Sequence, residues 1–406
     1  MSRERQAGAP IRVTHVTTVP VSLRFLRGQA AFMADHGVEL RVVSSPGDEL
    51  DAFSEEEGVP AHAVSMPRRI TPGADLVSLA RLWLHFRETR PDVVHSHTPK
   101  GGLLGTIAAT LAGVPVRIYH MRGLPLMGAS GWRRALLTTT ERVSCGLASE
   151  VFCVSHSLRD VALELDLVSR TGSRVLAGGS GQGVDTRRFD ITRLGPDTRT
   201  RVRERLEIPE SAVLFGFVGR IVRDKGIHEL AEAWASVRQA LPRAHLLLVG
   251  PREPMDPIDP DVWSRLAADE RVRTLGFTED TERLYAAMDV VVLPTYREGF
   301  PNVPLEAASM GLPVVATRIP GCVDAVAEDR TGTLVPAREA APLADAMLRY
   351  GRDPELRAAH GRAGRTRVER EFRPEVIWSA IQERYEALIG GRARSRTRPR
   401  AEVPRG

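Results

Sequence analysis

Lysine is almost absent from this chain. Its 406 residues carry 56 Lys and Arg together, and only Lys100 and Lys225 are lysine. Such a bias usually reflects genome composition, yet both lysines fall in loops that other signals single out. Aromatic residues make up only 5% and are not interleaved with basic ones. A base-stacking platform is therefore missing, and nucleic acid is not an expected partner. The three cysteines, Cys145, Cys153 and Cys322, show neither CxxC nor metal spacing, and their odd number argues for free thiols in a reducing compartment. No apolar run approaches the roughly 18 residues that a membrane span needs. The start, Met1-Ser2-Arg3-Glu4-Arg5-Gln6, lacks the apolar core of a signal peptide. A cytoplasmic protein is expected, with the inner face of the cell membrane as a peripheral location.

The net charge of +5 is modest for this length, and part of it sits at the end. Residues 391–406 hold Arg392, Arg394, Arg396, Arg398, Arg400 and Arg405 against Glu402. That stretch has no apolar period and is expected to be disordered, as are residues 1–10. The tail offers a contact to an anionic membrane surface; an idle tail is the competing reading.

A chain of this length is too long for one ordinary core, so two domains are expected. Short β-rich runs alternate with amphipathic stretches throughout. The first half offers strands at Ile11–Thr17, Glu39–Ser44, Ala61–Met66, Asp92–His97, Val116–Met121, Val151–Ser155 and Arg174–Ala177. The second offers Val213–Val218, His245–Val249, Val272–Leu275, Val290–Leu293, Pro313–Ala316 and Gly332–Val335. Repeated β–α–β order implies an α/β protein with doubly wound parallel sheets. The turn-rich run Gly178–Gly183 places the domains at 11–183 and 184–373, and a helix is expected over 374–390. Two Rossmann-like halves with facing carboxyl ends would enclose a cleft, where such sheets bind ligands.

The richest stretch is Glu298-Gly-Phe-Pro-Asn-Val-Pro-Leu-Glu306. It follows the β-branched run Val290–Leu293, and Pro304 suits the first turn of a helix. Strand, loop and helix N-terminus would deliver free amides to the carboxyl end of a sheet, a place for a phosphate or diphosphate. Carboxylates beside it can accept hydrogen bonds from sugar hydroxyls. Helix-dipole compensation by Glu306 and a solvated Glu298 are the plainer readings. A second loop, Gly219-Arg-Ile-Val-Arg-Asp-Lys-Gly226, puts Arg220 and Lys225 within reach of a diphosphate, where cations stabilise the leaving group; an ordinary basic surface loop is the alternative.

Together these marks resemble the retaining glycosyltransferases of the GT-B fold, specifically the large family 4. Gly219-Arg220, Lys225-Gly226, Leu247-Leu-Val-Gly250, Gly276-Phe-Thr-Glu-Asp280, Pro294-Thr-Tyr-Arg-Glu298-Gly-Phe-Pro and Glu306 carry the resemblance over nearly the whole chain. His95-Ser-His-Thr-Pro-Lys100-Gly-Gly-Leu-Leu-Gly is similar to the subgroup that builds capsular and exopolysaccharide repeat units on lipid carriers. The resemblance implies two Rossmann-like domains facing across a cleft, with the last helix crossing back to the first. It implies a nucleotide-sugar donor, most simply UDP-linked, and a lipid-linked saccharide acceptor. Glu298 would hold donor hydroxyls near the amides of Gly299, Phe300, Asn302 and Val303. Glu306 would hold the ribose, and Gly219, Phe277 and Thr278 would line the nucleotide. Arg220 and Lys225 would clamp the diphosphate.

One departure stands out. Many members carry a histidine where this chain has Arg122, and His120 lies two residues earlier on the same strand face. Either can take that role; Arg122 is the preferred reading. His97 and Lys100 are candidate acceptor-side residues. His95 and His97 share a face, but a third metal ligand at suitable spacing is missing, so no metal is expected. Asp259-Pro-Asp261 is read as a helix cap. No cofactor is expected. The competing functions are transfer to a natural product or phospholipid head group, a sugar-nucleotide epimerase on the same fold, or a non-catalytic nucleotide-sugar or nucleic-acid binding protein.

Overall fold

The computed structural model describes residues 9–254 and 256–397. The chain divides into two compact units. One takes in the described residues up to Val154, Arg159–Ala177 and the described residues from Glu375 on; the other takes in Ser155–Leu158 and Gly178–Pro374. The glycine-rich run thus belongs to the second unit rather than ending the first. The expected disordered stretch at 1–10 lies, up to residue 8, outside the described residues, as does the tail from 398. Residues 391–397 continue the last helix, Pro374–Thr397, so it runs past the expected end at 390.

The first unit is a seven-stranded parallel sheet of β1 (Ile11–Val16), β2 (Val38–Ser44), β3 (Ala61–Ala63), β4 (Val93–His97), β5 (Val116–Met121), β6 (Glu150–Cys153) and β7 (Ser173–Arg174), in the order β3-β2-β1-β4-β5-β6-β7. Both faces are covered. On one, Val16, Val43 and Val94 pack with Leu82, Phe86, Leu104 and Ala108 of two helices, Pro72–Thr89 and Pro99–Leu111. On the other, Ile11, Val13, Val93, Val116, Ile118 and Phe152 pack with Ile377, Ile381 and Tyr385. These last three come from the final helix, so the C-terminal element completes the core of the first unit. Each such side chain contributes about 2 kcal/mol on burial. Arg384 fastens the same helix, reaching Glu150 of β6 at 2.7 Å.

The second unit is a six-stranded parallel sheet of β8 (Val213–Val218), β9 (Ala244–Val249), β10 (Val272–Leu275), β11 (Val290–Leu293), β12 (Val314–Thr317) and β13 (Gly332–Val335), in the order β10-β9-β8-β11-β12-β13. Chain order reverses between β8 and β11. At that switch point the two flanking loops leave in opposite directions from the carboxyl edge and open a crevice.

Candidate functional site

Lys225 and Glu298 lie on the two loops that flank this crevice, after β8 and β11, and form an ion pair. Their side chains are only 17% and 15% exposed, so the pair is largely withdrawn from water. The loops are stitched together around it. The Tyr296 amide donates to the Asp224 carbonyl at 2.8 Å, and the Arg297 guanidinium pairs with the Asp224 carboxylate. Gly226 follows Lys225 with φ +70°, and a Cβ there would lie 1.9 Å from the Pro294 carbonyl oxygen. An alanine therefore meets both a strained backbone and a collision. Gly226→Ala is expected to lower stability by about 2 kcal/mol or more. An unchanged denaturant midpoint would mean that the loops are not held in this contact.

Beyond Glu298 the chain turns through Gly299–Asn302 into the helix Val303–Ser309. Ser155, one of the four residues lent to this unit after β6, donates its hydroxyl to the Gly299 carbonyl at 2.8 Å. Gly321 closes against the same carbonyl. Among the described residues, the amides of Gly299, Phe300, Asn302 and Val303 donate to no protein acceptor. A rigid turn thus presents free N–H groups beside a carboxylate and an ammonium, which suits an anion carrying hydroxyls. Phe300 packs at 5.5 Å from Phe372.

Glu306, in the first turn of that helix, accepts a hydrogen bond from the Tyr285 hydroxyl at 2.8 Å. Burial raises its pKa, while the Tyr285 bond and nearby Arg188 hold it down. Tyr285 and Arg188 are site neighbours that no motif announces. Gly219 follows β8, and its amide bonds to the Val249 carbonyl at 2.9 Å. Phe277 and Thr278 follow the edge strand β10; Phe277 is exposed, and the Thr278 hydroxyl accepts from the Asp280 amide at 3.2 Å. Asp259 caps the helix Pro260–Ala268, accepting from the Asp261 amide.

Two of the expected residues have partners that the sequence did not announce. The Arg220 guanidinium pairs with Glu253 at 2.8 Å and is half exposed. Lys100 does not stand free for an acceptor. It bonds to the Asp75 carboxylate at 2.8 Å and to the Arg69 carbonyl, tying one helix start to the segment before another.

The first unit has a cluster of its own at the carboxyl end of its sheet. Parallel register sets His15 beside His95 and His97 beside His120. With His95 and His97 two residues apart, all four imidazoles share one face. Arg122 donates from Nε to His97 Nδ1 at 3.2 Å. A guanidinium only donates, so the proton of neutral His97 is on Nε2. That nitrogen lies 2.8 Å from His15 Nδ1, which leaves the His15 proton on Nε2, buried and without a partner. A second chain runs from the Tyr385 hydroxyl to His95 Nδ1 at 2.6 Å and from His95 Nε2 to His120 Nδ1 at 3.1 Å. Burial holds all four histidines neutral: His15 falls to about 3, and His95, His97 and His120 lie well below the usual value. Burial also lowers Arg122, to about 9, so it remains a cation at neutral pH. The Arg122 guanidinium lies over the Phe25 ring. Arg122 and His120 thus each stand at the end of a separate hydrogen-bonded chain.

His15 supplies the third imidazole that spacing alone could not find; nitrogens of His15, His95 and His97 lie within 4.8 Å of one another. The polarity is nevertheless wrong for a metal. A metal-bound histidine normally donates its other N–H to an acceptor, whereas His97 Nδ1 accepts a hydrogen bond from the Arg122 cation.

The chain is similar to known proteins over most of its length. Residues 23–179 match the family described as "Glycosyl transferase 4-like domain", and residues 212–353 match "Glycosyl transferases group 1". The chain is 32% identical to the capsular polysaccharide biosynthesis glycosyltransferase CapM of Staphylococcus aureus, over 93% of this chain and 97% of that one. It is 23% identical to an Escherichia coli UDP-Gal:α-D-GlcNAc-diphosphoundecaprenol α-1,3-galactosyltransferase, over 85% and 89% of the two chains. Among solved structures, Anabaena Alr3699/HepE in complex with UDP-glucose superposes with a TM-score of 0.77 at 21% identity, over 93% of this chain and all of that one. The chain belongs to the family 4 glycosyltransferases and has their GT-B fold.

Proposed function

We propose that this enzyme moves a hexose-type sugar, with retention of configuration, from a UDP-sugar to a hydroxyl of a lipid-linked saccharide in cell-surface polysaccharide synthesis. The observation that carries the donor half is the Lys225–Glu298 pair at the β8/β11 switch point, beside four free amides. An arriving diphosphate offers Lys225 a stronger partner and frees Glu298 to accept from donor hydroxyls. The ammonium and the amides then face the charge that grows on the departing diphosphate, where each fixed donor is worth about 10²-fold or more in rate. The leaving oxygen takes up the acceptor proton in a front-face attack. Support for the acceptor half comes from the names of the relatives, one a capsule enzyme and the other acting on a diphosphoundecaprenol-linked sugar.

The test is a thermal-shift screen against UDP-, GDP-, ADP- and dTDP-sugars. UDP-sugars are expected to stabilise the protein, and Glu306→Ala to abolish that shift. Absence of a shift with all four classes removes the donor-site reading.

A further inference from the structure

The helices Pro72–Thr89, Pro99–Leu111 and Gly131–Leu147 each follow a strand of the first sheet and pack side by side on one face. In a parallel sheet such helices run back against the strands, so their first turns share the carboxyl rim. Lys100 and Asp75 join the starts of the first two. This rim is unusually apolar for a surface. Trp132 is 75% exposed and Leu76 67%, and Ile70, Val77 and Met127 are exposed beside them in sequence. Five of the 12 large apolar side chains exposed among the described residues thus fall within 70–77 and 127–132. Core packing does not explain them, and Trp132 opens its helix with no partner ring among the described residues.

The charge of the rim has one sign. Arg68, Arg69, Arg133 and Arg134 are exposed, and none has an acidic partner among the described residues. Residues 122–140 contain no acid at all, and the acid within 66–77, Asp75, is neutralised by Lys100. Tryptophan with arginine around aliphatic side chains is the composition of an element that lies in a lipid headgroup layer. Separate anchors on helix starts, rather than a groove, fit a deformable partner better than a rigid one.

We propose that this rim, residues 68–77 and 127–134, docks the enzyme onto an anionic lipid bilayer, with Trp132, Leu76 and Ile70 entering the headgroup layer and the four arginines against lipid phosphates. The proposal rests on the lipid-linked acceptor reading and gives it a geometry. The rim lies at the same end of the sheet as Arg122 and His120, so a sugar on a lipid carrier would be presented at that end.

The experiment is co-sedimentation of the full chain with phosphatidylcholine vesicles containing about one third phosphatidylglycerol, beside pure phosphatidylcholine. Binding is expected to the anionic vesicles, to weaken with salt, and to fall about tenfold or more in Arg133→Glu/Arg134→Glu, given the attraction of each arginine to such a surface. Trp132→Ser with Leu76→Ser is expected to weaken it similarly, and a blue shift of tryptophan emission is expected on binding and lost in Trp132→Phe. Stabilisation by UDP-sugar serves as the independent readout. The rim variants are expected to keep it, which separates failure of docking from failure of the donor site. Equal binding by wild type and both double variants overturns the proposal. So does binding lost only when Arg394, Arg396, Arg398 and Arg400 are changed to glutamine, which would assign the contact to the tail.

Discussion

Glu298→Gln is expected to lower kcat by about 10²-fold or more while the affinity for UDP stays within about threefold. The amide keeps the shape of the side chain and removes its charge. Two consequences follow from the pairing with Lys225. The hydroxyl acceptor that the donor sugar needs becomes weaker, and the ammonium loses the group that holds it at the crevice. The nucleotide contacts proposed for Glu306 and residues 276–278 are untouched, so the loss should fall on turnover. Single-turnover kinetics beside UDP titration calorimetry separates the two. A variant with near-normal kcat would remove Glu298 from the reaction and with it the switch-point site.

The second large effect is on acid stability. His15, His95, His97 and His120 are all buried with folded pKa values below the unfolded value of about 6.5. The native state binds fewer protons than the unfolded chain below that pH. Stability is therefore full above about pH 6.5 and falls as the pH drops, at about 1.4 kcal/mol per pH unit for each histidine that stays neutral. Glu141 works the other way. Burial raises its carboxyl to about 7 even though Tyr119 donates to it, so its protonation favours the fold as pH falls from about 7 to the unfolded value. Four histidines outweigh this carboxyl. The melting temperature is expected to drop steeply between about pH 6.5 and 5, and His15→Phe should flatten that slope by removing one of the protons. A melting temperature that is level across this range would mean that the imidazoles are not held neutral.

Much of this was legible in the sequence for a definite reason. A parallel sheet covered on both faces needs short, near-continuous apolar runs, and Val290–Leu293 and Val213–Val218 are runs of that kind. Glu298, Lys225 and the turn between Glu298 and Glu306 follow from those strands, because a loop after a buried strand has one end of the sheet to occupy. The choices of long side chains were not legible. Arg220 finds Glu253 in a proline-rich loop 33 residues on, and Lys100 finds Asp75 before it; neither pairing has a period or a fixed spacing. His15 escapes a search along the chain because its partners are across the sheet, and only the register of β1 with β4 brings them together. Tyr385 reads as an apolar position on a helix, since nothing local tells where its hydroxyl ends.

That hydroxyl ends on His95, 290 residues earlier in the chain. On the ribosome the consequence is one of timing. Strands β1 to β6 are made before the second unit, yet the helix that covers one face of their sheet is made after it. Until Ile377, Ile381 and Tyr385 emerge, the face that carries the four histidines has no complete cover, while the second unit, nearly continuous from Gly178 to Pro374, already holds all of its own strands. Synthesis order and completion order are therefore inverted: the domain begun first waits until the whole second unit has been made, and a nascent chain stalled short of Tyr385 would leave that face of the first sheet exposed.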